Sequence, residues 1–219
     1  MPDTDASWLN ALRGRFVVFD GPDGSGKSTQ FRRFASFVEQ GGIAVCHVRE
    51  PGGTAIGEQI RKLLLEYRDD QHGQMDVHCE MLLFMASRAQ LVAERIGPAR
   101  QRGELVLADR FISSTLAYQG AAGGMSLDAI RRVGEVALGE HWPDLVVVFD
   151  VDEQTAATRL SPLLDRMEQK GADYHAKVRQ GYLEQAKADP ARHLVIDARA
   201  DEDAVFERLL SGLRERLTV

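Results

Sequence analysis

Residues 21–28 read Gly21-Pro22-Asp23-Gly24-Ser25-Gly26-Lys27-Ser28. They satisfy the pattern G-x-x-x-x-G-K-[ST] at every fixed position. The apolar run RFVVFD at 15–20 precedes them, and an amphipathic stretch follows from Thr29 to Gln40. A strand, a glycine-rich turn and a helix in that order give the motif its confirming context. The glycines let backbone N–H groups turn inward around phosphate oxygens, and the helix start adds the positive end of its dipole. Lys27 can reach a β- or γ-phosphate, and the Ser28 hydroxyl can ligate Mg²⁺. Gly21, Pro22, Asp23, Gly24, Ser25, Gly26, Lys27, Ser28 and Thr29 are thus the candidate binding residues for ATP or another nucleoside triphosphate.

Four more short apolar runs lie at 43–48 (IAVCHV), 104–109 (ELVLAD), 145–151 (LVVVFDV) and 193–197 (HLVID). Most do not alternate, which fits strands buried on both faces of a parallel sheet. Helical stretches at 29–40, 56–65, 76–96, 127–138, 174–188 and 203–217 separate them, as βαβ crossovers require. Gly97-Pro98 is expected to close the longest. The fold class expected is α/β: a five-stranded parallel sheet of the P-loop NTPase type, flanked by helices on both faces. The polar stretch 161–173 (SPLLDRMEQKGAD) follows the fourth run and reads as a small lid, so 160–173 is set apart within one domain at 15–219. Residues 1–14, with Asp3 and Asp5 before Trp8, lack the basic-then-apolar order of a signal peptide and read as a loose extension.

Composition narrows the function. The formal net charge of −6 argues against sequence-independent binding to nucleic acid. No apolar run approaches the length of a membrane span. The only two cysteines, Cys46 and Cys79, fit neither a metal spacing nor a disulfide framework, so a reducing, cytoplasmic setting is the simpler expectation. Arginine outnumbers lysine 22 to 5. That suits bidentate grip on phosphate, and codon bias explains it equally well.

The phosphate turn alone does not choose between a GTPase switch, an ATPase and a kinase. No Asn-Lys-x-Asp for guanine is present. A kinase of phosphorylated small molecules needs a second anion site near the strand ends. Arg49 follows the second run and Arg110 the third, on the same edge as residues 21–28. Arg88 sits within an apolar helical stretch, one turn from Phe84, where a bare charge is costly. For each arginine alone a structural ion pair is the commoner explanation; the convergence of three is what points to a site. Asp109 ends the third run, where a carboxylate can orient Mg²⁺ or its water, or else simply pair with Arg110.

Arg49-Glu50-Pro51-Gly52-Gly53-Thr54, Asp109-Arg110-Phe111 and Ala117-Tyr118-Gln119-Gly120, in that order after the phosphate turn, resemble the thymidylate kinase (dTMP kinase) family, and Leu164-Asp165-Arg166-Met167-Glu168-Gln169 resembles the lid of its bacterial members. The resemblance runs from about residue 15 to the C-terminus. It implies ATP and dTMP as substrates, Mg²⁺ as cofactor and a homodimer. It also implies residue roles. Phe84 would stack on thymine, and Arg88 would contact the base or its phosphate edge. Arg49 and Arg110 would hold the monophosphate. Thr115 and Tyr118 would line the base and sugar pocket, with Ser114 and Gln119 beside them, and Asp23 would accept from the 3′-hydroxyl. Read from its residue type alone, Phe84 is also a fair core aromatic.

The lid departs from the pattern. Members without a basic residue in the phosphate turn usually carry several lid arginines. Here position 24 is Gly, and 158–173 holds only Arg159, Arg166 and Lys170. Arg166 is then the expected cation for the transferring phosphoryl group, beside Lys27, Arg110 and Asp109, and Arg159 serves the ATP side. The rivals are a kinase for dUMP, UMP or a deoxynucleoside, and a non-catalytic nucleotide-binding switch.

Overall fold

A computed structural model describes residues 6–67, 69–159, 166–167 and 170–217. Five parallel strands, β1 (Phe16–Asp20), β2 (Val45–Arg49), β3 (Leu105–Asp109), β4 (Leu145–Asp150) and β5 (His193–Asp197), form one sheet in the order β2-β3-β1-β4-β5. Each lies within two residues of its expected bounds.

The register explains why the runs do not alternate. Phe16 and Val18 of β1 pair with Val106 and Ala108 of β3 and face one core. Val17 and Phe19 between them face a second core with Leu105, Leu107 and Phe149. A strand with a core on each face needs apolar residues at successive positions. The first core is covered by α4 (Val77–Leu91), α7 (Leu127–Leu138) and α9 (Ala172–Ala188); α1 (Lys27–Gln40) and α10 (Glu202–Leu217) cover the second. Between α1 and α4 lie α2 (Ala55–Glu66) and the short α3 (Asp69–His72).

The helix expected to end at Gly97-Pro98 does not end there. It passes through a π-helical segment, Val92–Ile96, into α5 (Gly97–Gln101), with Pro98 in the first turn of α5. Just ahead of it the Gly97 N–H bonds to the Val92 carbonyl, so the helix has already left the i→i−4 ladder that a proline would interrupt. Besides α3, two short elements went unforeseen: α6 (Ile112–Thr115), which runs into a π-helical segment Leu116–Ala122, and α8 (Glu153–Arg159). Of the expected lid, residues 160–165 and 168–169 lie outside the described residues.

The N-terminal extension is not loose over Ala6–Leu12, which form a 3₁₀ helix. Leu9 and Leu12 are fully buried in the second core, and Trp8 stacks on Phe37 of α1 at 6.4 Å. Leu12→Ala is expected to cost about 3 kcal/mol in urea unfolding, whereas the exposed Asn10→Ala leaves the midpoint unchanged.

Candidate active site

The sheet's carboxyl edge gathers the motif residues around a cavity of about 280 Å³. Asp23, Lys27 and Ser28 line it from the phosphate turn, and Asp109 and Arg110 from the end of β3. Arg49 and Glu50 reach it from the end of β2, and Phe84 from α4. Ser114, Thr115, Tyr118 and Gln119 close it from α6 and the π-helical segment.

The turn holds its shape by close packing. Gly21 has φ +140°, and a Cβ there would lie 2.5 Å from the carbonyl oxygen of Phe149. Gly24 has φ +74°, and its Cβ would meet the carbonyl oxygen of Ala156 in α8 at the same 2.5 Å. Position 24 therefore has no room for the basic side chain that some family members carry. Ser25, next to Gly24, is buried, and the Thr29 N–H bonds to the carbonyl of Gly26 at 3.1 Å within the first turn of α1.

Arg110 is the one non-glycine residue with a left-handed backbone among those described, at φ +67°. Such strain of roughly 1–2 kcal/mol persists only where the surroundings over-determine it. Here they do. Its N–H bonds to the Phe19 carbonyl at 2.9 Å. Its guanidinium donates to the Gly21 carbonyl, Ser114 Oγ and Tyr182 Oη, each at 3.1 Å, and to Asp23. Behind it stands Asp20, fully buried, which accepts from Ser113 Oγ and Tyr182 Oη at 2.6 Å, from Ser114 Oγ at 2.7 Å and from the Gly21 N–H at 3.1 Å. Asp20 and Tyr182 were not foreseen; a carboxylate ending a buried strand was the available signal.

Burial works against the Asp23 carboxylate, but Arg110, then Lys27, then the Tyr118 hydroxyl at 2.6 Å outweigh it and lower its pKa to about 2. Burial also lowers the Lys27 pKa, with Arg110 adding to the effect. The same burial raises Tyr118 and Tyr182 well above the ordinary phenol range, so both stay neutral donors.

The other expected residues divide. Arg49 sits at the cavity mouth, exposed, with Nη2 3.2 Å from both carboxylate oxygens of Glu58. Ser28 Oγ donates to Asp109 Oδ2 at 3.0 Å. Arg159 lies beside Gly26 and donates to the carbonyls of Ala198, Arg199 and Ala200. Arg88 is not at the cavity surface. It lies 1% exposed behind Glu50 and Thr115. Arg166 is turned from the phosphate turn toward α4, with Nη1 2.5 Å from the buried Glu80 and Nε 3.2 Å from Asp69. Gln119 also bonds Glu80, at 2.8 Å. Glu50 and Arg61 of the wall, and the buried Glu80 that Gln119 bonds, were missed; Glu50 lay in plain view within the Arg49–Thr54 motif.

A model of the thymidylate kinase family matches residues 19–209. The chain belongs to the thymidylate kinase family. Relatives named thymidylate kinase include one from Deinococcus radiodurans, 42% identical over 208 residues that cover 93% of this chain and 98% of that protein. Another, from Geobacillus sp. strain WCH70, is 37% identical over 210 residues, covering 94% and 99%. The crystal structure of thymidylate kinase from Ehrlichia chaffeensis superposes with a TM-score of 0.74 at 30% identity, covering 92% of this chain and 99% of that one.

A carboxylate held at low pKa in the fold stabilises it above the unfolded carboxyl's pKa, and that contribution fades as pH falls through the folded value. Asp23 should thus contribute about 2 kcal/mol that is lost between about pH 4 and pH 2. Thermal melts over that range should show a shallower acid decline for Asp23→Asn than for the native chain.

Proposed function

We propose that this thymidylate kinase family member transfers the γ-phosphoryl group of ATP to the 5′-phosphate of dTMP, giving ADP and dTDP on the way to dTTP. The observation that carries the reading is the contact of Arg110 with Asp23, which sets an acceptor cavity directly against the triphosphate turn.

The acceptor phosphate oxygen is a competent nucleophile at neutral pH, so the protein's work is positioning and charge stabilisation. Lys27 and the backbone N–H groups of residues 21–28 follow the moving phosphoryl group. Arg110 and Arg49 offset the repulsion between the two phosphates. Tyr118 donates to Asp23, which leaves the other Asp23 oxygen to Arg110 and to a sugar hydroxyl. Phe84, half-buried at the cavity wall, offers its ring face to the base. Arg159, beside Gly26, faces the ATP side.

Ser28 and Asp109 suit Mg²⁺, which takes few protein oxygens and completes its shell with water and substrate phosphates. Held there with the triphosphate, the ion would supply positive charge to the phosphate oxygens. For Arg166 the reading requires its guanidinium to leave Glu80 and Asp69 before it can serve the phosphoryl group.

A homodimer accords with the exposed apolar side chains of Ile56 and Leu63 on α2, Leu82 on α4 and Leu127 and Val136 on α7, three helices that pack side by side. No helix is long and apolar enough to cross a membrane among the described residues. Both cysteines are free, which accords with a cytoplasmic place, and the net charge of −6 disfavours nucleic acid as a partner.

A coupled ADP-release assay with Mg·ATP across dTMP, dUMP, UMP and thymidine tests the reading. dTMP should be the best acceptor; release independent of any acceptor would contradict it. Lys27→Ala should lower turnover by about 10³-fold with the fold retained by circular dichroism. Arg110→Ala should raise the KM for dTMP more than that for ATP.

A further inference from the structure

Tyr182 is 1% exposed on α9 and lies behind the cavity wall. Its Oη donates to Asp20 Oδ1 at 2.6 Å, and Ser114 Oγ donates to the same oxygen at 2.7 Å. The two hydroxyls lie 2.7 Å from each other. Three oxygens thus form a triangle, and the hydroxyls hold only two protons for its three sides. Oxygens at that spacing repel unless positive charge stands beside them. Arg110 Nη1 supplies it, 3.1 Å from both hydroxyls, 3.4 Å from Asp20 Oδ1 and 3.1 Å from the Gly21 carbonyl.

As a stabilising device this cluster gains little. It buries a carboxylate against a guanidinium, and apolar side chains of similar size generally serve a fold as well or better. What it does achieve is orientation. Nη1 has two N–H groups facing four oxygens, so both are spent on the protein. A guanidinium is planar and its donors form a rigid fork, so holding Nη1 from behind sets the direction of the rest. That remainder looks into the cavity, where Nη2 meets Asp23. The support itself is firmly seated. Gly181 brings α9 against the π-helical segment: a Cβ there would lie 2.7 Å from Ala121 Cβ and 3.2 Å from Ala117 Cα. Gln185 Nε2 donates to the Ser113 carbonyl at 3.1 Å, which ties the next turn of α9 to α6.

We propose that Tyr182 is a positioning residue for phosphoryl transfer: its hydroxyl closes an oxygen cradle around Arg110 Nη1, which aims the remaining edge of the guanidinium at the acceptor phosphate. The inference rests on the acceptor reading of the cavity and extends it to a helix that lines no part of it.

The test is a double-mutant cycle in kcat/KM for dTMP over the native enzyme, Tyr182→Phe, Arg110→Ala and the double variant, with KM for ATP measured in each. Tyr182→Phe removes one hydroxyl and keeps the ring. It should lower kcat/KM for dTMP about tenfold or more, as the loss of a hydrogen bond to a charged group implies, and leave the ATP KM within about twofold. In the Arg110→Ala background the same change should cost less than about twofold, because the cradle then has nothing to aim. A merely structural Tyr182 would lower activity alike in both backgrounds. If Tyr182→Phe melts below the assay temperature, the cycle is run with Asp20→Asn/Tyr182→Phe, which also removes the carboxylate left short of a donor. Equal losses in the two backgrounds, native kcat/KM in the Tyr182 variant, or an ATP KM that rises in step with that for dTMP overturns the inference. A native enzyme inert toward dTMP would instead overturn the reading beneath it.

Discussion

Arg110 cannot relax. Its backbone is held left-handed by the bond to Phe19, and its guanidinium is gripped by Asp23 in front and by the Asp20 cluster behind. Asp20 belongs to β1, Asp23 to the phosphate turn, Ser113 and Ser114 to α6, and Tyr182 to α9. One guanidinium therefore fixes the relative placement of four elements. It also adjoins both the glycine-rich turn and the cavity proposed for the acceptor. Charge that is preorganised in this way needs little rearrangement during transfer, which is where fixed cations gain their effect.

The remaining cations follow from packing. Helix α8 presses the Ala156 carbonyl onto Gly24, so no side chain can rise from position 24. Positive charge must then come from around it. Lys27, Arg49, Arg61 and Arg110 line the cavity, and Arg159 stands beside Gly26. Arg166 and Lys170 are occupied with Glu80, which places them against α4. On the reading proposed above, a lid cation would have to leave Glu80 before it could serve the phosphoryl group.

The sheet was legible because burial on two faces demands successive apolar residues, and the triphosphate turn because its chemistry permits few residue types. Arg49, Phe84, Ser114, Thr115, Tyr118 and Gln119 were legible by resemblance, and the strand-end position of Arg49 and Arg110 by topology. Other features left no local mark. The π-helical segments Val92–Ile96 and Leu116–Ala122 carry no sequence signal distinct from an ordinary helix. Pro98 reads as a stop but occupies a first turn. Trp8, Leu9 and Leu12 are too short a pattern to separate from a tail, although they complete the second core. Asp20, Glu50 and Glu80 are buried carboxylates whose partners lie 90, 38 and 86 residues away, respectively. Pairing at such distances is set by the fold and is invisible in periodicity.

The central claim is that donor and acceptor phosphates meet across the Asp23–Arg110 contact in one continuous site. Calorimetric titration with adenosine and thymidine joined through five phosphates measures this most directly. The account predicts one molecule bound per chain, more tightly than ATP or dTMP alone, with the gain lost in Arg110→Ala. Binding no tighter than either nucleotide, or undiminished by Arg110→Ala, would contradict it.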